Sequence, residues 1–414
     1  MGRVRGVTLG LCMAAAALFG FCPARAESPS SELVEGLNRF SIAFYQEVAG
    51  VGGNIVVSPF SIESGLSMAY LGAHGETKKE MREVLDYPPF SRLTLAQEFS
   101  QLGLVLEERR SSAYYQLYMA HGMWIANDSS LLQDYTSMIE LYYGGALWRR
   151  DFTDSVAVAG EINEWVSNET NGKIEEIVRP VDISMTTRMF LANALYLKAP
   201  WSVPFDSDNT VEADFWTEVG ESVKVAMMRR TRGFPYYRGE DFSMVALPYR
   251  SVGDGVQLAM LVALPNEGED LSTWEQGLSL EQIDGAMEGM RMRAVELSLP
   301  RFKTATHLFP IRILQQMGLN NPFGFEANFS GIDGSMDLQI SSVVHDAMIS
   351  VDEGGTEAAA SSGIVMGYKA LPPVEGEVTF EANRPFFYLI VDVHTHQILF
   401  IGRVGNPLLE RTPL

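Results

Sequence analysis

The chain reads as a single large α+β domain, on three observations. Helical periodicity dominates its early part, alternating and fully apolar runs dominate its later part, and no repeat, low-complexity tract or Pro/Gly-rich linker divides residues 30–410. Helices first and sheet later argue against a regular βαβ series.

The elements follow in order. Arg3 and Arg5 precede an apolar stretch from Val7 to about Cys22, and Ala24-Arg25-Ala26 supplies small residues at the positions a signal peptidase reads. That stretch is short for a membrane span, so residues 1–26 are predicted to be a secretory signal peptide and 27–414 the folded domain. Leu33, Leu37, Phe40 and Phe44 share one face of a first helix. A second opens at Ser58-Pro59 and turns Ile62, Leu66 and Ala69 inward. Thr77-Lys-Lys-Glu80 has the spacing of a capping box opening a third, with Met81, Val84 and Leu85. Residues 155–169 and 269–289 also carry helical spacing. Val256–Leu264 is a continuous apolar run stopped by Pro265, as a buried strand requires. Val295, Leu297 and Leu299 alternate before Pro300, and 386–393 and 398–404 form a terminal strand pair joined by a turn at His394-Thr-His396.

Composition narrows the function. The full chain has 31 basic and 52 acidic residues; without the leader the balance is 28 against 52. So acidic a surface disfavours nucleic acid, heparin-like polyanions and anionic membranes. Both cysteines, Cys12 and Cys22, fall in the leader. The mature chain is therefore expected to have no disulfide, zinc-thiolate site or cysteine nucleophile, and to rely on a large core. A secreted protein, outside the cell or in the lumen of a secretory organelle, is the expectation. Sequons stand at Asn127, Asn168 and Asn328, the last among phenylalanines and expected to be too buried for glycosylation. No metal is expected: His394 and His396 read as an exposed turn, and His74, His121, His307 and His345 fit no triad. There is no nucleophile elbow, H-E-x-x-H, P-loop or G-x-G-x-x-G, so neither enzyme chemistry nor a cofactor is called for.

One run is unusual. Glu353-Gly-Gly-Thr-Glu-Ala-Ala-Ala-Ser-Ser362 places two glycines ahead of a row of small residues. Side chains alternate along a strand, so Thr356, Ala358, Ala360, Ser362, Ile364 and Met366 would form an uncharged face fit for burial. Glu357, Ala359 and Ser361 would face out. Gly354 and Gly355 would be the hinge. Such a segment could slip between two strands of a closed sheet, although on composition alone a flexible surface loop fits equally.

Wider motifs favour the first alternative. Asn54-Ile-Val-Val-Ser-Pro-Phe-Ser-Ile62, Phe190-Leu-Ala-Asn-Ala-Leu-Tyr-Leu-Lys-Ala-Pro-Trp201 with Phe205, Val225-Ala-Met-Met228, Leu247-Pro-Tyr249, Leu299-Pro-Arg-Phe-Lys303, Phe329-Ser-Gly-Ile332, Val344-His-Asp-Ala347, Asn383-Arg-Pro-Phe-Phe387 and Phe400-Ile-Gly-Arg-Val-Gly-Asn-Pro407 recur in one order. Together they resemble the serpins, the serine-protease inhibitor family. The resemblance implies a metastable fold of three β-sheets and about nine helices with an exposed reactive-centre loop, about residues 353–375, that joins the largest sheet after cleavage. It implies a hinge at Glu353, Gly354, Gly355, Thr356, Glu357, Ala358, Ala359 and Ala360. Ser58, Ser61, Asn193 and His345 match the polar cluster beneath the point where the sheet opens, and Trp201 the aromatic where the loop enters. The family's spacing from Glu353 puts the scissile bond at Lys369–Ala370, with Tyr368 an alternative because residues 370–383 are longer than the family pattern. Lysine implies a trypsin-like target protease bound covalently one to one, and a monomeric inhibitor. The rivals are a non-inhibitory serpin acting as carrier, chaperone or storage protein, and a secreted hydrolase. Gly354 replaces a charged residue of the pattern and is expected only to loosen the hinge.

Overall fold

The computed structural model describes residues 29–110, 114–251, 257–356 and 377–410. The leader with Cys12 and Cys22, and Glu357, Ala358, Ala359, Ala360, Tyr368, Lys369 and Ala370 of the loop, lie outside them.

The first helix, α1 (Ser31–Ala49), begins where the Ser30 hydroxyl accepts the Leu33 N–H, and it buries Leu33, Leu37, Phe40 and Phe44. After the short strand β1 (Ile55–Val57), α2 (Pro59–Tyr70) is capped by Ser58 with proline in its first turn. All of α2 is buried, well beyond the stripe of Ile62, Leu66 and Ala69. The next helix, α3 (Gly75–Val84), starts two residues ahead of the expected capping box. Thr77 and Glu80 do not cap it. The Thr77 hydroxyl donates to the Asn321 side chain, and the Glu80 carboxylate accepts the Asn321 N–H. A distant loop outcompetes the local motif.

Helices α4 (Arg92–Arg110) and α5 (Gln133–Tyr142) flank β2 (Gln116–Ala126), and β3 (Leu147–Arg150) leads into α6 (Ser155–Glu169). The helix expected over 269–289 is two, α7 (Leu271–Gln276) and α8 (Leu280–Gly289). Gly277 closes the first, and Ser279 with Gln282 forms a complete capping box for the second, so each half has its own start. The remaining helices, α9 (Ile311–Gln316) and α10 (Ser330–Asp333), are short.

Among the described residues the strands form two hydrogen-bonded sheets. The larger has the order β1–β15–β14–β8–β7–β6–β9–β13, with β5 also on β6. Its strands are β5 (Val211–Trp216), β6 (Ser222–Arg238), β7 (Phe242–Pro248), β8 (Leu258–Pro265), β9 (Arg291–Pro300), β13 (Glu377–Glu381), β14 (Phe386–Asp392) and β15 (Ile398–Val404), besides β1. The 17-residue β6 pairs with β5 and β9 along most of its length and with β7 at its end. Two of the three expected sheets are thus joined through one strand. The second sheet runs β10 (Phe302–Leu308), β11 (Ile340–Val351), β12 (Gly355–Thr356), β4 (Met189–Pro200), β2 and β3.

The main core lies between α1, α2 and the two sheets. A second cluster lies under α6, where Ile162 and Val166 share space with Ala192 and Ala194 of β4 and Val344 of β11. Trp165 of α6 meets Trp148 and Trp124 edge-on, each at 5.2 Å between ring centroids, while those two stack at 4.7 Å. Gly122 makes room: a Cβ there would stand 2.9 Å from both Trp124 and Trp165.

Candidate functional site

Strands β4 and β11 are parallel neighbours from Ile340↔Met189 up to Met348↔Tyr196. Above that level they part, and β12 sits between them, antiparallel to both: Thr356 faces Val351 on one side and Ala199 on the other. Gly355 and Thr356 are therefore seated in the mouth of a seam whose lower length is closed.

Several groups hold it there. The Trp201 backbone N–H donates to the Gly354 carbonyl (2.8 Å) and the Phe205 N–H to the Glu353 carbonyl (2.8 Å). The Trp201 indole donates to the Asp352 carbonyl (3.0 Å) and its ring stacks on Tyr249 at 4.7 Å. The Tyr249 and Thr356 hydroxyls are hydrogen-bonded at 2.5 Å, and Thr356 is fully buried, as the first inward position of the alternating row should be. Gly355 has φ +149°, and a Cβ there would stand 2.2 Å from the Ala199 carbonyl oxygen, so only glycine fits. Gly354 is not loose: its N–H donates to the Asp352 carboxylate at 2.8 Å while its carbonyl holds Trp201.

Glu353 anchors the approach. Arg301 donates to its carboxylate from Nε (2.8 Å) and Nη2 (2.6 Å), and Thr210 donates as well. Burial alone would raise the Glu353 carboxyl, but these donors outweigh it and hold the group below its ordinary value.

Three rungs below the last direct β4–β11 pair, His345 faces Asn193. The Ser58 backbone N–H donates to His345 Nε2 at 3.1 Å, and the Ser58 hydroxyl accepts the Ser61 N–H. Helix α2 presses close: a Cβ on Gly65 would stand 2.1 Å from Asn193 Oδ1. The four predicted cluster residues and Trp201 thus lie on one seam, the cluster in its middle and Trp201 at its mouth. The cluster is poorly satisfied. Ser61 Oγ, both amide atoms of Asn193 and His345 Nδ1 are buried and find no hydrogen-bond partner among the described residues. Burial, with His307 adding to it, lowers the His345 pKa to about 3, so the ring is neutral.

Sequence reasoning assigned no role to Tyr249, Arg301, Asp352 or Thr210. The first two stand inside quoted motifs, but their partners lie 107 and 52 residues away, beyond any local pattern. Elsewhere, Asn127 and Asn168 are exposed and Asn328 half-buried. The Asp392 carboxylate organises the turn at His394–His396 by accepting the N–H groups of His394 and Thr395. Among the described residues no group of His, Cys, Asp and Glu could hold a metal ion, and no helix is long and apolar enough to cross a membrane.

The family model described as serpin (serine protease inhibitor) matches residues 35–407. This chain is a serpin. It is 36% identical to an uncharacterized serpin-like protein of Thermococcus kodakarensis, over 92% of this chain and 87% of that one. A serine protease inhibitor of Cyanea capillata is 32% identical over 89% and 97% of the two chains. Among solved serpin structures, Arabidopsis AtSerpin1 in its native stressed conformation superposes with a TM-score of 0.81 at 27% identity, covering 92% of this chain and all of that one. Serpins are inhibitors of serine proteases rather than enzymes, and the α+β fold matches theirs.

Proposed function

We propose that this serpin is a secreted suicide inhibitor of trypsin-like serine proteases, trapping them as acyl-enzymes by inserting its cleaved loop into the β4–β11 seam. The observation that carries the reading is the seat of Gly355–Thr356: a two-residue strand already started between parallel neighbours, followed in sequence by small residues. The protease serine oxygen adds to the Lys369 carbonyl carbon, the bond to Ala370 breaks, and the Ala370 nitrogen leaves as an amine with the serine's proton. An ester remains, which water would normally hydrolyse. Insertion of about twelve residues converts one parallel contact into two antiparallel ladders. At about 1 kcal/mol net per bond it releases on the order of 10 kcal/mol. That is enough to drag the protease along the seam and distort its oxyanion hole, stranding the ester.

Incubation with trypsin should give an SDS-resistant band at the summed mass, and Lys369→Ala should abolish it because a methyl group cannot fill an acidic specificity pocket. A chain that is merely cut is a carrier. A trap as fast in the mutant, or a cut elsewhere by mass spectrometry, moves the reactive residue. Cleavage within 363–370 should also raise the melting temperature, opposite to ordinary nicking; an equal or lower value argues for a non-inserting serpin.

A further inference from the structure

Two cavities stand out, and charge separates them. The larger, about 430 Å³, lies between α1 and α7. Its arginine, Arg403, is buried and already paired with Glu218 and Glu275, each at 2.9 Å. The smaller, about 200 Å³, lies beside the mouth of the β4–β11 seam and has no acidic group among its described lining residues.

The local sequence makes this second cavity apolar. Strand β4 ends at Pro200, and the chain turns through Trp201 and Phe205, both buried. Their backbone N–H groups hold the Gly354 and Glu353 carbonyls, and the Ser202 N–H holds the Pro248 carbonyl at 2.9 Å. This wall is therefore tied to the hinge on one side and to β7 on the other. Phe234 of β6 and Leu247 of β7, also buried, complete the lining inside. Pro235 and Met292 face each other across the β6–β9 ladder, and with Val203 they are only half-buried, which marks the way in. An apolar cavity of roughly 150 Å³ takes up a benzene ring. This one has room for a single ring with a short substituent. Aromatic walls favour a ring over an aliphatic chain, because offset and edge-on contacts add to burial.

Charge selects the substituent. Arg232 lines the cavity. Arg230 lies two residues earlier on the same face of β6 and donates to the Pro204 carbonyl. Burial and then the charge of Arg232 lower the Arg230 pKa, with Asp206 offsetting them only in part. Arg293 stands diagonally across from Arg232, level with Phe234. Three arginines thus gather on one face of one ladder, in a chain with 31 basic and 52 acidic residues. Their mutual repulsion favours an anion beside them.

We propose that this cavity is a binding site for a small aromatic carboxylate, its ring against Trp201, Phe205 and Phe234 and its carboxylate toward Arg232. The site does not depend on the inhibitory reading, since a carrier would possess it equally. Its ligand would rest on the two residues whose backbone holds the hinge.

Hydrocinnamate and its amide are suitable probes, because they share size and shape and differ in charge. Calorimetric titration of the intact protein should show saturable binding, with the acid about tenfold tighter than the amide, the scale of a hydrogen bond to a charged group. Arg232→Gln should erase that preference and leave the amide where it was. Arg238→Gln, at the exposed end of β6, should change neither. Val203→Trp and Met292→Trp fill the cavity from different elements, so the failure of one to fold leaves the other. Each variant that keeps the wild-type circular dichroism should bind both probes at least tenfold more weakly. No saturable binding of the acid to the wild type overturns the proposal. Equal affinities for acid and amide overturn the site as one for carboxylates. Wild-type affinity in a folded filling variant puts the probe elsewhere and overturns it as well.

Discussion

At the mouth of the β4–β11 seam, backbone N–H groups, an indole, a tyrosine hydroxyl and an arginine all converge on residues 352–356. Three rungs lower, buried polar atoms of Ser61, Asn193 and His345 find no partner among the described residues. Both stretches lie along the same seam, yet one is well satisfied and the other is not. Buried polar groups without partners cost about 1–3 kcal/mol each. The middle of the seam therefore holds buried polar groups left uncompensated by the described residues, beside a mouth whose groups are paired.

The comparison breaks most completely at Thr356. Thr356→Arg places a guanidinium where the side chain is already buried against Tyr249, so it disturbs the resting seat as well as the first step of insertion. Desolvating that charge costs several kcal/mol. The protein should become a substrate, with trypsin inhibition reduced at least tenfold in a titration of residual activity. Glu357→Arg, on the outward row, should be far milder; equal losses would sink the alternating-face argument.

Glu353→Lys attacks the mouth from outside. It removes the carboxylate that Arg301 and Thr210 share and sets like charges together. A fully buried pair broken this way costs 3–5 kcal/mol, and because Arg301 is half exposed the expected loss is about 2–3 kcal/mol in urea denaturation. Glu353→Gln should lose less. An unchanged midpoint for the lysine variant would mean that the mouth does not depend on this pair.

The middle of the seam is sharpened by pH. An unfolded histidine titrates near 6.5, whereas the His345 pKa is about 3. As pH falls, the unfolded chain takes up the proton first. The stability contributed by the neutral ring is full above about pH 6.5 and is lost toward pH 3. Between pH 6.5 and 5 the loss should be about 2 kcal/mol. His345→Asn should lack that part of the slope, and parallel curves for the two proteins would refute the assignment.

The smallest effect is expected on the same helix that supports the cluster. Glu63 of α2 is fully buried, and neither carboxylate oxygen has a hydrogen-bond partner among the described residues. Burial, helped by Asp86, pushes its carboxyl well above the usual range. The raised value means that stability is full below about pH 4.5 and falls as pH rises toward the folded value. Glu63→Gln should be more stable at pH 8 by about 1 kcal/mol, modest because the amide is also unpartnered. The advantage should vanish near pH 4. A variant less stable at pH 8 would show that the carboxyl has a role in the fold.

Much of this molecule is legible in its sequence because periodicity and capping act locally. The first helix, the second with its start at Ser58-Pro59, the helix over 155–169 and the terminal strand pair follow from apolar spacing, while the Ser30 and Asp154 caps emerge only in the structure. The failures differ in cause: Thr77 and Glu80 fit a local cap but serve Asn321, some 240 residues on, whereas the helix over 269–289 is split by local caps at Gly277 and Ser279. The site divides in the same way. Family motifs bring Ser58, Ser61, Asn193, His345 and Trp201 to one seam, but nothing local links Tyr249 to Thr356 or Arg301 to Glu353. Nor does the alternation of residues 356–366 reveal that the first rung is already laid.

The aromatic residues give this machinery two clocks. Trp201 is stacked on Tyr249 and bonded to the Asp352 carbonyl, so its emission follows the mouth of the seam. Trp124, Trp148 and Trp165 couple as a trio under α6, whose cluster spans β4 and β11, so their near-ultraviolet circular dichroism follows the sheet lower down. Stopped-flow emission of the wild type less that of Trp201→Phe, set beside the near-ultraviolet circular dichroism, would show whether the mouth and the sheet below it change at separate times.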